Sequence, residues 1–259
     1  MRLAHSALAL FLTLALAACG NGGDEGDKAP TGDGGGSGSA ERKPIDPALT
    51  GSVKGTIRIE GDVPPMAVID AMAKDPKCHG EVKSETVVAN PNGTLRDVIV
   101  SVDRRGLTGW AMPGPKAETV HLDQKGCMFS PHILALQVGQ TISITNSDKT
   151  KHNVNYKSNK NGLLNEIQDV GDAAIEVQAK FAESFSAKCD IHDWMNANVE
   201  IFDHPFFAVS DETGAYEISG LPEGTYTITV KHGYYESAPQ KVTIKAGETA
   251  TLDFTFQAD

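Results

Sequence analysis

Basic residues are scarce in this chain. Lys and Arg total 23 against 34 Asp and Glu, a formal charge of −11 over 259 residues. Nucleic-acid binding is excluded on that ground, because phosphate contacts need a basic face. Aromatic residues make up only 6% and form no stacking platform, which ranks a carbohydrate-binding surface role last. No long amphipathic helix can be drawn, so a helix bundle and an α/β sheet are both excluded. The 4 cysteines are too few for a disulfide-dense scaffold, and each needs its own explanation. No repeat appears beyond the spacing of strands.

Glycine is plentiful but uneven, with a dense run between Gly20 and Gly38. Ahead of that run, Arg2 supplies a positive charge and Leu8 to Ala18 a short apolar stretch. This reads as a secretory signal, too short to span a membrane comfortably. Its end, Leu16-Ala17-Ala18-Cys19, resembles the bacterial lipobox, which implies lipidation at Cys19 after removal of residues 1–18. The chain is then expected outside the cytoplasm, on the periplasmic face of a bacterial membrane. Gly20 after the cysteine favours the outer membrane. Residues 19–50 hold too little apolar surface to offset their ordering entropy and read as a flexible tether, with a reach of roughly 30 Å. About 210 residues remain, enough for a sizeable core.

From Ser52 onward the pattern is β. Residues 53–59, 98–102, 141–145, 226–230 and 251–256 alternate with period two, separated by turns such as Pro91-Asn92-Gly93, Val138-Gly139-Gln140 and Glu212-Thr213-Gly214. Many short strands punctuated in this way predict an all-β chain of sandwiches. Short helices are expected at most over 67–74 and near 167–177. The character changes near Pro205, after which there is no cysteine.

Chemistry concentrates in Cys189-Asp190-Ile191-His192-Asp193-Trp194-Met195. Thiolate, imidazole and thioether are the soft donors that select copper, and a blue-copper centre combines two His, one Cys and a weak axial Met. A second His must come from elsewhere, and His152 is the candidate, just after a strong strand. Zinc is disfavoured because Met is a poor ligand for it. Cys–His nucleophilic catalysis leaves Met195 unexplained, and an exported free thiol would oxidise.

The strand over 134–146 followed by His152-Asn153-Val154, together with the Cys-x2-His-x2-Met spacing, resembles the cupredoxins, with the short ligand loop of amicyanin. The resemblance implies a Greek-key β-sandwich over 116–204. It also implies strong copper ligands His152, Cys189 and His192, axial Met195, and Asn153 bracing the ligand loop. A partly exposed His192 would be the electron port. Asp193 departs from the proline of amicyanin, which bears on the partner surface. No His-x-His pairs of the kind an oxidase requires are present, so no enzyme is expected. The implied role is a one-electron carrier meeting a redox protein such as a c-type cytochrome or a membrane dehydrogenase. Copper trafficking and a structural surface role are the alternatives. Lys149, Lys151, Lys157 and Lys160 around His152, with Asp190 and Asp193 beside His192, would make docking salt-sensitive.

Cys78 and Cys127 remain, and an oxidising compartment makes a disulfide the default. The competitor is a second metal site drawing on His79 or His132. Residues 209–230, with Gly214-Ala215-Tyr216 and Leu221-Pro222-Glu223-Gly224-Thr225-Tyr226, resemble the carboxypeptidase regulatory-like domain, a small transthyretin-like sandwich without catalytic residues, placed at 205–259. Strands like 55–61 and 97–102 begin that family's fold. The expectation is therefore that residues 51–115 belong mostly to this sandwich, with the copper domain inserted between its strands.

Overall fold

The computed structural model describes residues 41–78 and 80–258. The signal segment, Cys19, most of the tether and His79 lie outside the described residues.

Two hydrophobic cores account for the architecture. The first gathers Val53, Ile57, Ile59, Leu95, Val98, Val100 and Val102 with Tyr216, Ile218, Tyr226, Ile228, Phe254 and Phe256. Apart from Leu95 and Val98, which precede the strand Ile99–Val102, these side chains come from two sheets. In one, Thr50–Gly61 pairs antiparallel with Ala215–Pro222 and parallel with Thr249–Thr251 and Phe254–Ala258. In the other, the order is Phe207–Val209, Ile99–Val102, Gly224–Lys231, Gln240–Ile244. Period-two alternation explains the faces: Phe254, Phe256 and Ala258 are buried while Thr255 and Gln257 face solvent. Strands on both sides of the central segment therefore build one sandwich. Gly214 closes a turn against it at φ +78, where an added Cβ would stand 2.7 Å from Thr94 Cβ and 2.9 Å from the Ile57 carbonyl oxygen.

The second core holds Leu122, Phe129, Leu134, Leu136, Ile142, Ile144, Val154, Ala187, Val199 and Ile201. Its larger sheet runs Ile133–Gln137, Asn196–Phe202, Glu183–Lys188, His152–Lys157, Leu163–Gln168. The facing sheet runs Met128–Ser130, Val120–Lys125, Thr141–Asn146, Ile175–Gln178. Buried Gln124 and Gln168 join the two sheets through a 2.7 Å hydrogen bond, and Gln168 also donates to the Ile144 carbonyl at 3.0 Å.

Several expectations need correction. Residues 67–74 contain only the 3-10 turn Asp70–Lys74, and 167–177 form the end of one strand, a turn and the start of another. The segment 251–256 is broken at Leu252 and Asp253, where Thr56 N–H bonds the Asp253 carboxylate at 2.7 Å. The tether is held well before residue 50: Lys43 bridges Trp110, and the 3-10 turn Pro47–Leu49 is capped by Asp46. Residues 51–115 are also not confined to the first sandwich. Met72 and Cys78 are buried in the second core, because the connection between Gly61 and Ile99 crosses over the second sandwich before returning.

Candidate metal centre

Sheet register assembles the site. Lys188 pairs with Asn155, so one step further brings Cys189 beside the start of the strand His152–Lys157. The loop after Cys189 closes on itself: Cys189 N–H donates to the Met195 carbonyl at 3.1 Å, and Met195 N–H to the His192 carbonyl at 2.9 Å. His192, Met195 and Cys189 are thereby wound into one tight turn between two neighbouring strands. Asn153 ties this turn down. Its Oδ1 accepts from Asp190 N–H at 2.6 Å, and its Nδ2 donates to Asp190 Oδ2 at 3.1 Å and Asn165 Oδ1 at 3.0 Å.

The donors converge in the interior. His152 Nδ1 lies 2.9 Å from His192 Nδ1, and Cys189 Sγ lies 3.9 Å from His192 Nδ1. Donor atoms of His152, Cys189 and His192 all fall within 4.8 Å of one another. Metal–nitrogen and metal–sulfur bonds of about 2.0 and 2.3 Å bring donors that share one ion to about this spacing. His152, Cys189 and Met195 are at most 1% exposed. Cys189 is the free thiol among the described cysteines. Backbone N–H groups of Asn153 and His192 approach its sulfur at 3.5 and 3.4 Å, which suits a thiolate.

Both imidazoles carry a carboxylate on the far nitrogen. His152 Nε2 meets Asp148 Oδ2 at 2.9 Å, and His192 Nε2 meets Asp75 Oδ2 at 2.9 Å. A carboxylate only accepts, so the network assigns each ring proton to Nε2. The two Nδ1 atoms then face each other at 2.9 Å, on the side of the rings that Cys189 Sγ approaches. Burial pushes the His152 imidazole below its ordinary range, against the pull of Asp148, which favours the neutral, metal-ligating form. Asp75 is held below the usual carboxylate range, first by the Lys77 backbone N–H and then by His192. Asp190 is likewise lowered, chiefly by Asn155, then by Lys188 and Asn153.

Neither Asp75 nor Asp148 is singled out in the sequence reading. Asp148 stands four residues before His152, a visible but unspecific signal. Asp75 is 117 residues from its partner, and no local pattern announces it. The partly exposed His192 expected from the resemblance is also corrected: the ring is 3% exposed, because Asp75 and Cys78 cover its outer edge. Cys78 and Cys127 are bonded to each other, so their sulfurs offer no thiolate to a second metal. His132 is half-buried at a strand edge, with Nδ1 3.2 Å from the Asn196 carbonyl.

Residues 194–257 match the family model of the carboxypeptidase regulatory-like domain. The match begins with the strand Asn196–Phe202 of the second sandwich and then covers the C-terminal strands of the first, whose remaining strands lie upstream at Thr50–Gly61 and Ile99–Val102. Solved structures with a similar fold include a purple cupredoxin from Nitrosopumilus maritimus, 20% identical, covering 32% of this chain and 99% of its own, with TM-score 0.28. A Cu(I) methionine variant of amicyanin is 18% identical over 36% of this chain and 97% of its own, TM-score 0.30. A reduced tryptophan variant of amicyanin is 19% identical over the same shares, TM-score 0.31. No curated protein sequence gives a significant match. The chain therefore holds a segment similar to the carboxypeptidase regulatory-like domain, and the solved structures it is similar to include cupredoxins.

Proposed function

We propose that this chain is a type 1 copper protein that carries single electrons, anchored through Cys19 to the periplasmic face of a bacterial membrane, with the outer membrane favoured. The observation that carries the reading is the buried convergence of Cys189 Sγ with the Nδ1 atoms of His152 and His192, on a turn that also buries Met195. A donor set of one thiolate, two imidazoles and a thioether selects copper over hard cations. Bound copper would supply a one-electron couple. The residues supply the rest: neighbouring strands of one β-sheet and the turn between two of them hold the strong donors at fixed separation, and N–H groups at the Cys189 sulfur tune the potential.

With His192 covered, contact with a partner falls to the neighbouring surface. Ile191 is 43% exposed, and the ring of half-buried Trp194 lies 5.1 Å from that of His192. Exposed Lys149, Lys151, Lys157 and Lys160 make docking to a c-type cytochrome or a membrane dehydrogenase sensitive to salt. No catalytic residue is assigned; the protein is a carrier, not an enzyme.

A Cu(II) titration followed by visible spectroscopy tests this reading. An intense thiolate-to-copper band is expected, and it disappears in Cys189→Ser. A colourless wild type at full copper occupancy would refute it. The covered His192 edge favours one second reading, a copper-holding or trafficking protein without sustained electron transfer. Rapid, reversible reduction by a cytochrome separates the carrier from that alternative.

A further inference from the structure

Two carboxylates, two imidazoles and one disulfide form a continuous chain of contacts around the outer edge of the site. Asp148 accepts backbone N–H bonds from Gly126 at 2.7 Å and Cys127 at 2.8 Å, and bonds His152 Nε2 with Oδ2. Cys127 is joined to Cys78. Cys78 N–H donates to the Asp75 carbonyl at 3.0 Å, which sets Asp75 one turn away. The Asp75 carboxylate accepts from Lys77 N–H at 2.8 Å and bonds His192 Nε2. Cys78 Sγ itself lies 3.8 Å from His192 Nε2. Trp194 Nε1 closes the loop by donating to the Cys127 carbonyl at 2.9 Å.

We propose that Asp75 and Asp148, linked through the Cys78–Cys127 disulfide, are a bracket of positioning residues that locks both imidazoles with Nδ1 toward Cys189 and biases the site toward the dipositive metal. This inference rests on the copper reading above. Two physical effects follow from the geometry. A carboxylate on Nε2 fixes tautomer and ring angle, and makes Nδ1 a better donor. Two negative charges within one imidazole width of the donors also add to that of the Cys189 thiolate. Both effects favour Cu(II) over Cu(I), because the extra positive charge gains more from each. The disulfide matters because Asp75 arrives on a short turn that carries no strand of its own; its crosslink and the Lys77 N–H bond hold the carboxylate over His192.

The test compares Asp75→Asn with wild type and two controls. Loss of such an outer carboxylate costs about 10- to 100-fold in metal affinity. Asn can still accept from Nε2–H through its oxygen, so the lower end applies, and Cu(II) affinity is expected to fall about tenfold more than Cu(I) affinity. For a one-electron couple that difference raises the reduction potential by about 59 mV. Asp75→Glu should recover part of the shift. Asp193→Asn removes an exposed charge from the turn that carries His192, with no hydrogen bond to either imidazole among the described residues, and should move the potential by much less. A readout independent of electron transfer is the ¹⁵N shift pattern of the diamagnetic Cu(I) form, expected to show Nε2–H on both rings. The Cys78→Ser/Cys127→Ser double variant should reproduce the Asp75→Asn shift.

An intense thiolate band in wild type combined with an unchanged potential in Asp75→Asn would overturn the bracket and leave the copper reading standing. Equal shifts in Asp75→Asn and Asp193→Asn would overturn it too, since charge alone would then suffice. Absence of the band in wild type would instead remove the copper reading itself.

Discussion

Asn153→Ala isolates the contribution of one buried side chain to the ligand loop. Asn153 is nearly inaccessible to solvent, yet three hydrogen bonds leave its amide: one from Asp190 N–H at 2.6 Å, one to Asp190 Oδ2 at 3.1 Å and one to Asn165 Oδ1 at 3.0 Å. Each intramolecular hydrogen bond contributes about 1 kcal/mol net. Asp190 and Asn165 are exposed, so water replaces part of the loss, and the expected destabilisation is about 2 kcal/mol. Urea unfolding gives the value through the midpoint and its slope. Asn153→Asp sharpens the test. Its Oδ1 can keep the Asp190 N–H bond, but its second oxygen would face the Asp190 carboxylate at about the wild-type contact distance, replacing an attraction with like-charge repulsion. The order of stability is therefore wild type, then Asn153→Ala, then Asn153→Asp. Because the loop carries Cys189, His192 and Met195, copper dissociation should accelerate in the same order. The reasoning fails if Asn153→Ala stays within about 0.5 kcal/mol of wild type, the range of an ordinary surface substitution, or if the two variants are equally stable.

Three further outcomes follow from other parts of the fold. Burial drives the His204 imidazole from its ordinary 6.5 to about 4, with Asp203 opposing the shift and Arg104 adding to it. The folded ring stays neutral while the unfolded chain takes up a proton. Stability is thus complete above pH 6.5, declines toward pH 4 and levels off below, by at most about 3 kcal/mol. A His204→Phe variant that keeps the whole decline would contradict this. Gly214→Ala places a Cβ at φ +78, 2.7 Å from Thr94 Cβ, and should cost about 1–3 kcal/mol in thermal unfolding of the first sandwich; an unchanged midpoint would show that the turn relaxes freely. His132→Ala should leave the copper spectrum and affinity unchanged, since among the described residues the ring's hydrogen-bond partner is the Asn196 carbonyl alone; altered stoichiometry would reopen a second site.

Local pattern and tertiary proximity divide the remaining questions between them. The alternation over residues 53–59, 141–145 and 226–230 is legible because a half-buried strand demands it at short range. The same alternation misleads at 251–256, where the exposed Asp253 takes the Thr56 N–H with its carboxylate and the strand is broken. Periodicity does not report a side chain that satisfies a distant backbone group. The apolar and acidic run near 167–177 is ambiguous for a related reason: an edge strand that exposes Ile167, followed by a turn that exposes Val170, lacks the clean two-faced signature of an inner one.

Sequence by itself pointed to His152, Cys189 and His192, whose donor atoms the fold brings within 4.8 Å of one another. Cys189, His192 and Met195 share one loop, so their spacing survives any packing of the rest, and a soft donor set is a property of residue types. It also determined the all-β character, because alternation and turn residues act over a few positions. Tertiary structure alone decided what surrounds the donors. Asp75 reaches His192 across 117 positions, and the turn carrying it leaves the first sandwich only to cover the second. A contact of that separation leaves no periodic trace, since neither residue constrains its own neighbours. For the same reason the covering of His192 could be read only once the chain had been folded back on itself.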